Sequence, residues 1–368
     1  MDRPPHTLAF VRHVCVDPRK LGPLPEAAAV SRRLPLCVGV AVLAAVVGAV
    51  GCTGGHSAST PDGEPSVRAR IRIPGQPFRV AVGEGFVWVL NRAPRPCSPP
   101  RPCTVSRIDP GSNRLVGKPT RLPADGWDLA VGAGSGWATQ FDGRLIRIDA
   151  STGRISARIS ARPIYFGSVV AFGGGFVWTG NDDERNERGS ISKIDPASNR
   201  VVGNVLGLGS PQSIAFGQGA VWVADHAGWL VKIDPTSLKI VARRRLDFGP
   251  HGVVVTADAV YVADAHGRRL LEADPKTARV RRIVELSVGP IYPAIGAGSI
   301  WSSSAAAWDG TGEEDRVVRI DPRTLRIVQT LRLGGTVPSL AFGFGSVWAA
   351  VRSGSVVRTS PLVPEPPP

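Results

Sequence analysis

Apolar residues recur along this chain at a period of two, in short runs broken by glycine or proline. The pattern is plainest from Pro211 to Ala242. There Pro211-Gln212-Ser213-Ile214-Ala215-Phe216-Gly217, Ala220-Val221-Trp222-Val223-Ala224-Asp225, Leu230-Val231-Lys232-Ile233-Asp234-Pro235 and Lys239-Ile240-Val241-Ala242 read as four short strands. Alternation at that period describes half-buried strands and argues against helical repeats of similar length. A Gly-x-Gly between the first two runs predicts a tight hairpin, and Asp-Pro followed by Thr or Ser supplies turn chemistry between the last two.

The unit repeats about every 40 residues, the spacing of a propeller blade. The aromatic of its second strand recurs as Trp88, Trp137, Trp178, Trp222, Tyr261, Trp301 and Trp348, which counts seven units. The Asp after its third strand recurs as Asp109, Asp149, Asp195, Asp234, Asp274 and Asp321, followed by Pro in all but Asp149. The seventh unit lacks that Asp and runs from Val356-Val357-Arg358 into a proline-rich tail, so it has no fourth strand of its own. A matching strand, Ser66 to Pro74, precedes the first unit. An all-β, seven-bladed β-propeller over 66–361 follows, closed by an N-terminal strand that completes the last blade. The repeated Trp are expected to pack between blades as core, and the repeated Asp to bond their own turns.

Upstream of that body, Arg32-Arg33 and an apolar run from Leu34 to Val50 end at Ala49-Val50-Gly51-Cys52. A positive segment, an apolar segment and small residues before a break describe an export signal. With Cys after Gly51 it resembles a bacterial lipobox, which implies lipid on Cys52 and a site on the outer face of the cell membrane. The expected organisation is an upstream extension at 1–29, a signal segment at 30–51, a flexible tether at 52–65, the propeller, and a Pro-rich tail at 362–368. Val30 is a candidate true start.

Charge changes the picture less than its size suggests. The net charge is +14, with 44 Lys and Arg against 30 Asp and Glu. Removing everything before Cys52 leaves 38 basic and 27 acidic residues, a net +11. The Arg residues recur singly from unit to unit, with Arg243-Arg244-Arg245 the longest run. Nucleic-acid binding needs clustered positive charge, so no nucleic-acid partner is expected. Charges guarding exposed edge strands are the simpler reading. No C-x-x-C pair is present, but Cys97 and Cys103 stand on one long loop and are expected to form a local disulfide in an oxidising compartment.

Val-Trp-Val-Ala-Asp at 221–225, Val-Tyr-Val-Ala-Asp at 260–264 and the recurring Ile-Asp-Pro turns resemble the YVTN or YncE-like propellers and, more distantly, the streptogramin B lyases. The resemblance implies an extracytoplasmic propeller and leaves its chemistry open. Any mouth should gather the segments leading into the inner strands: Phe78-Arg79, Trp127-Asp128, Ser168-Val169, Gln212-Ser213, His251-Gly252, Ile291-Tyr292 and Pro338-Ser339. From these and the neighbouring loops, Arg79, Asp128, Gln212, Asp225, Asp264 and Tyr292 are candidate binding residues for an unknown ligand or protein, on a monomer. The acidic loops with Asp182, Asp183, Glu184, Asp309, Glu313, Glu314 and Asp315 lack ordered calcium spacing and read as solvated charge.

Two functional readings stand. The first is a binding scaffold that breaks no bond. The second is a lyase or hydrolase, with His226, His251 and His266 as acid/base or metal-binding residues. The lyase resemblance implies His and acidic residues with a divalent metal, Mg or Ca, and Asp264-Ala265-His266 has a matching acid-x-His form.

Overall fold

A computed structural model describes residues 67–92, 103–160, 169–181, 189–304 and 315–360. Its strands form seven antiparallel sheets. Blade 1 is Gln76–Gly83, Phe86–Arg92 and Thr104–Asp109, with two short outer pieces, Arg114–Leu115 and Thr120–Arg121. Blade 2 is Gly126–Gly132, Ser135–Gln140, Arg144–Asp149 and Ile155–Ser160, and blade 3 is Val170–Gly173, Phe176–Asn181, Gly189–Asp195 and Arg200–Leu208. Blade 4 is Pro211–Gly217, Ala220–Asp225, Trp229–Ile233 and Ile240–Arg245. Blade 5 is Gly252–Val255, Val260–Asp264, Arg269–Ala273 and Val280–Glu285. Blade 6 is Pro290–Gly296, Ser299–Ser304, Arg316–Ile320 and Ile327–Arg332. Blade 7 is Ser339–Gly343, Ser346–Val351 and Ser355–Thr359, and its outer strand is Val67–Arg72 from the other end of the described chain. The N-terminal strand closes the ring as the repeat predicts. The inner strand of each blade packs against the next, blade 7 against blade 1 included.

The second-strand aromatics lie between blades. Trp88 shares a core with Ala138, Ile146 and Ile148 of blade 2, and Trp222 with Val253, Val260 and Leu271 of blade 5. Six of these positions are Trp, and each indole N–H donates to the carbonyl of the glycine five residues earlier. The pairs are Trp88 to Gly83, Trp137 to Gly132, Trp178 to Gly173, Trp222 to Gly217, Trp301 to Gly296 and Trp348 to Gly343, at 2.9 to 3.3 Å. A buried indole therefore keeps its one polar atom satisfied inside its own hairpin.

Directly opposite each of those Trp on the third strand stands Arg107, Arg147, Lys193, Lys232, Arg319 or Arg358. The charged head lies 4.9 to 5.9 Å from the indole, within cation–π range. Five of the six then donate to the following blade at the residue after its turn Asp. Arg107 reaches the Ala150 carbonyl, Arg147 that of Pro196 (2.6 Å), Lys193 that of Pro235 (2.8 Å) and Lys232 that of Pro275 (2.8 Å). Arg358 reaches Pro110 (2.6 Å), from blade 7 back to blade 1. Blade 5 is inverted: Glu272 faces Tyr261 and binds Arg282, whose Nη2 donates to Pro322 (2.9 Å). In blade 6, Arg319 donates to Ser299 of its own blade (2.8 Å), as Arg147 does to Ser135 (2.8 Å) and Arg358 to Ser346 (2.9 Å), and blade 7 has no Asp-Pro turn to receive a latch. These basic residues are latches between blades, which corrects the reading of the basic excess as edge protection alone.

The turn Asp bond their own backbone as expected. Asp109 accepts from Ser112 N–H (2.7 Å), Asp234 from Ser237 N–H (2.6 Å) and Asp274 from Thr277 N–H (2.7 Å). Those bonds favour the ionised form and hold the Asp149 carboxyl down at about 2, with Ser151 and Thr152 as donors. In the first hairpins the residue before the last Gly also adopts positive φ, as Gln218 (52°) before Gly219 (66°) does. That is the type I′ geometry of a two-residue turn.

Trp222→Ala should cost about 3 to 5 kcal/mol of unfolding free energy. Lys232→Met, which keeps the apolar stem but removes a charged hydrogen bond, should cost about 1.5 to 3 kcal/mol. Arg319→Met, which breaks no latch to the next blade, should cost measurably less than Lys232→Met. Urea unfolding of the three variants checks the order.

Candidate binding site at the propeller axis

Inner strands meet at the axis, and four of them are irregular there. The pairing register slips between Pro77 and Arg79, Gly126 and Leu129, Pro211 and Ser213, and Ile291 and Ala294. The inner strands of blades 3, 5 and 7 pair without a slip. A bulge adds a residue to one strand and re-aims its side chains. The four bulged blades are those that carry Arg79, Asp128, Gln212 and Tyr292.

These four residues line one axial cavity of about 240 Å3, together with Ser213 and Ser339. In blades 3 and 5 the lining comes from Val170, Val253 and Val254, beyond the expected Val169 and His251-Gly252. Asp128 accepts from Arg79 Nε at 3.1 Å on one oxygen and from the Val170 N–H at 3.0 Å on the other. Arg79 also donates from Nη1 to the Pro338 carbonyl (3.2 Å), so this single pair joins blades 7, 1, 2 and 3. Their side chains are 7% and 17% exposed. Close packing pushes the Asp128 carboxyl above the usual carboxylate range, and Arg79 offsets this only in part.

Tyr292 completes that wall with its ring centroid 4.3 Å from the Arg79 guanidinium. Its φ is 47°, a left-handed conformation that costs of order 1 to 3 kcal/mol for a bulky residue. Gly252 in the neighbouring blade allows it, since a Cβ there would stand 2.4 Å from Pro293 Cδ and 3.1 Å from the Tyr292 nitrogen.

Beside the cavity lies a second feature that pattern reading did not find. The Arg92 guanidinium sits 3.6 Å from the Phe78 ring centroid, 4.8 Å from that of Trp127 and 5.5 Å from that of Phe141. Trp127 and Phe141 are half-buried, in edge contact at 5.1 Å. The three aromatics fall on different strands and loops with no shared spacing, so only the fold brings them together.

The three candidate His residues do meet, away from the axial lining. His251 is buried at 2% exposure between the exposed rings of His226 and His266, with centroids 4.9 and 4.8 Å away. Asp225 does not join them: its carboxylate is spent on the N–H groups of Gly209, Ser210 and Ala227. Asp264 likewise holds Gly267 N–H and Arg269. Neither Asp lines the axial cavity. Among the described residues no group of three His, Cys, Asp or Glu is arranged to hold a metal ion, so the donor set does not fit the Mg or Ca of the lyase resemblance.

Asp315, the last residue of its acidic loop, accepts from Val337 N–H at 2.7 Å and is buried. Cys103 is buried beside Asp125. Cys97, Cys52, Ser168, Asp182, Asp183, Glu184, Asp309, Glu313 and Glu314 lie outside the described residues, as do the extension, signal, tether and tail.

Burial and its two neighbours lower the His251 pKa from 6.5 to about 3. As pH falls below about 6.5 the unfolded chain takes up this proton first, so His251's contribution to stability is full above that pH and is lost toward pH 3. His251→Phe should therefore lose less stability than the parent between pH 7 and pH 5, read from paired urea midpoints. No protein family matches this chain and no curated protein does, which leaves the geometry of the axis to carry the functional reading.

Proposed function

We propose that this protein is an extracytoplasmic binding propeller, held at the outer face of a bacterial membrane through lipid on Cys52, whose axial cavity receives a small ligand or the exposed end of a larger partner. The observation that carries the binding reading is the convergence on one cavity of polar side chains from five blades: Arg79, Asp128, Gln212 with Ser213, Tyr292 and Ser339. Here the inner strands bulge to place polar ones, and one of them keeps a strained backbone, a pairing that collects at functional sites. The address rests on the Cys52 motif and its apolar leader. The lyase reading has less support, because the three histidine rings pack edge-on and tilted against one another, and Asp225 is committed to backbone amides and Asp264 to Gly267 and Arg269.

Ligand-observed NMR of the full chain against a library of small polar fragments should find binders that Gln212→Trp, which fills the mouth, no longer holds. Binders that Gln212→Trp retains would overturn the axial reading, and so would a library without binders. Separately, cells fed labelled palmitate should label the parent protein and leave Cys52→Ser unlabelled.

A further inference from the structure

The chemistry of the axial lining narrows what can fill it. Two charged side chains line the cavity, of opposite sign, Arg79 and Asp128, paired at 3.1 Å. An anion placed on Arg79 would sit within a few ångströms of the Asp128 carboxylate, and a cation on Asp128 would meet the guanidinium. At such separations in a poorly hydrated site, like charges repel by several kcal/mol. A zwitterion would have to split the pair and leave two largely buried charges to be matched anew, at a cost that such pairs seldom recover.

A hydroxyl escapes this conflict, because it donates and accepts at one atom. It can accept from Arg79 and donate to Asp128 without disturbing either charge. The remaining groups are mixed in the same way. Ser213 and Ser339 each accept a backbone N–H through Oγ, from Val253 and Val80 at 3.2 Å, which leaves each hydroxyl proton to donate. Gln212 donates from Nε2 to Ser210 (3.1 Å), which leaves its carbonyl oxygen to accept. Donors and acceptors thus both stand on the perimeter, while Val170, Val253 and the Tyr292 ring supply apolar wall. The volume of about 240 Å3 falls below the roughly 300 to 1,000 Å3 of pockets that take drug-sized ligands, so one small ring fits.

We propose that the axial cavity binds one neutral sugar ring, free or at the end of a chain, with vicinal hydroxyls bridging the Arg79–Asp128 pair and the C–H face of the ring against Tyr292. This rests on the axial-binding reading above and deepens it. Its test is titration calorimetry of the full chain in a phosphocholine detergent, which carries no sugar of its own. The ligands are glucose, galactose, mannose and N-acetylglucosamine, with acetate, ethanolamine and glycine as charged controls.

At least one sugar should bind and the controls should not. Asp128→Asn should weaken that sugar about 10-fold, the loss expected for one charged hydrogen bond. Gln212→Leu, a change at the cavity mouth that leaves the Arg79–Asp128 pair intact, should weaken it by a few-fold. Binding of a charged control with the same dependence on Gln212 would overturn the sugar and leave the axial site standing. Sugar binding unchanged in both variants would overturn the site for this ligand. No binding by any sugar overturns the proposal, and the fragment experiment then decides the axial reading independently.

Discussion

The ring depends on the third-strand cation that covers a buried Trp and then reaches into the next blade. A β-propeller has no single core; each pair of neighbouring sheets must find its own apolar filling and its own relative angle. The Trp supplies the filling, its N–H fixed to a Gly carbonyl of its own hairpin. The cation fixes the angle, because its far end must meet a particular carbonyl one blade on. That carbonyl is in turn held in place by the Asp of the receiving turn, whose carboxylate gathers the N–H groups behind it. Glycine, Trp, cation and Asp turn therefore form one chain of constraints that passes from blade to blade. Its last link, Arg358 to Pro110, joins the end of the ring to its beginning, beside the N-terminal strand that closes the same seam.

The exceptions show that position matters more than residue type. In blade 5 the third-strand charge is Glu272 and the aromatic is Tyr261, yet the Pro322 carbonyl still receives a cation, Arg282 from the outer strand, and lies 3.4 Å from the Tyr261 hydroxyl. In blade 6 the receiving turn is missing and Arg319 keeps the own-blade serine bond that Arg147 and Arg358 also make. Blade 7 gains its outer edge from Val67–Arg72 rather than from a continuing chain.

This frame was legible in the sequence because it repeats. The Trp column, the Asp turns and the orphan strand before Gln76 each recur or are missed at a fixed spacing, and a period of two gave the strands. Arg79, Asp128, Gln212 and Tyr292 were found as departures from the repeat, since they stand where each unit differs. Two things were out of reach. The latch was hidden because its cation and its acceptor lie some 40 residues apart and lysine or arginine at an alternating position of a third strand reads as solvated charge. The bulges were hidden because an extra residue at the start of a strand looks like loop, although it decides which side chain faces the axis. The histidines show the opposite error: His226, His251 and His266 do cluster, but the same turns that bring them together consume Asp225 and Asp264.

The division of labour between rim and axis follows from these constraints. Between blades the recurring polar groups are paired: indole to carbonyl, cation to carbonyl, carboxylate to turn amides. A ring so secured can carry irregularity where its inner strands crowd together at the axis. Tyr292 keeps a left-handed backbone there, and Arg79 and Asp128 keep opposite charges together with only a small share of their surface in water. Neither arrangement would persist on an isolated sheet, where a strained bulge could relax and the pair could open to solvent. On the ring, Arg79 is held at once by Asp128, the Pro338 carbonyl and two aromatic faces, so its direction is fixed before any ligand arrives. Preorganisation of that kind reduces the ordering cost of binding, and it is built from contacts at the axis on a ring whose blades the latches hold together.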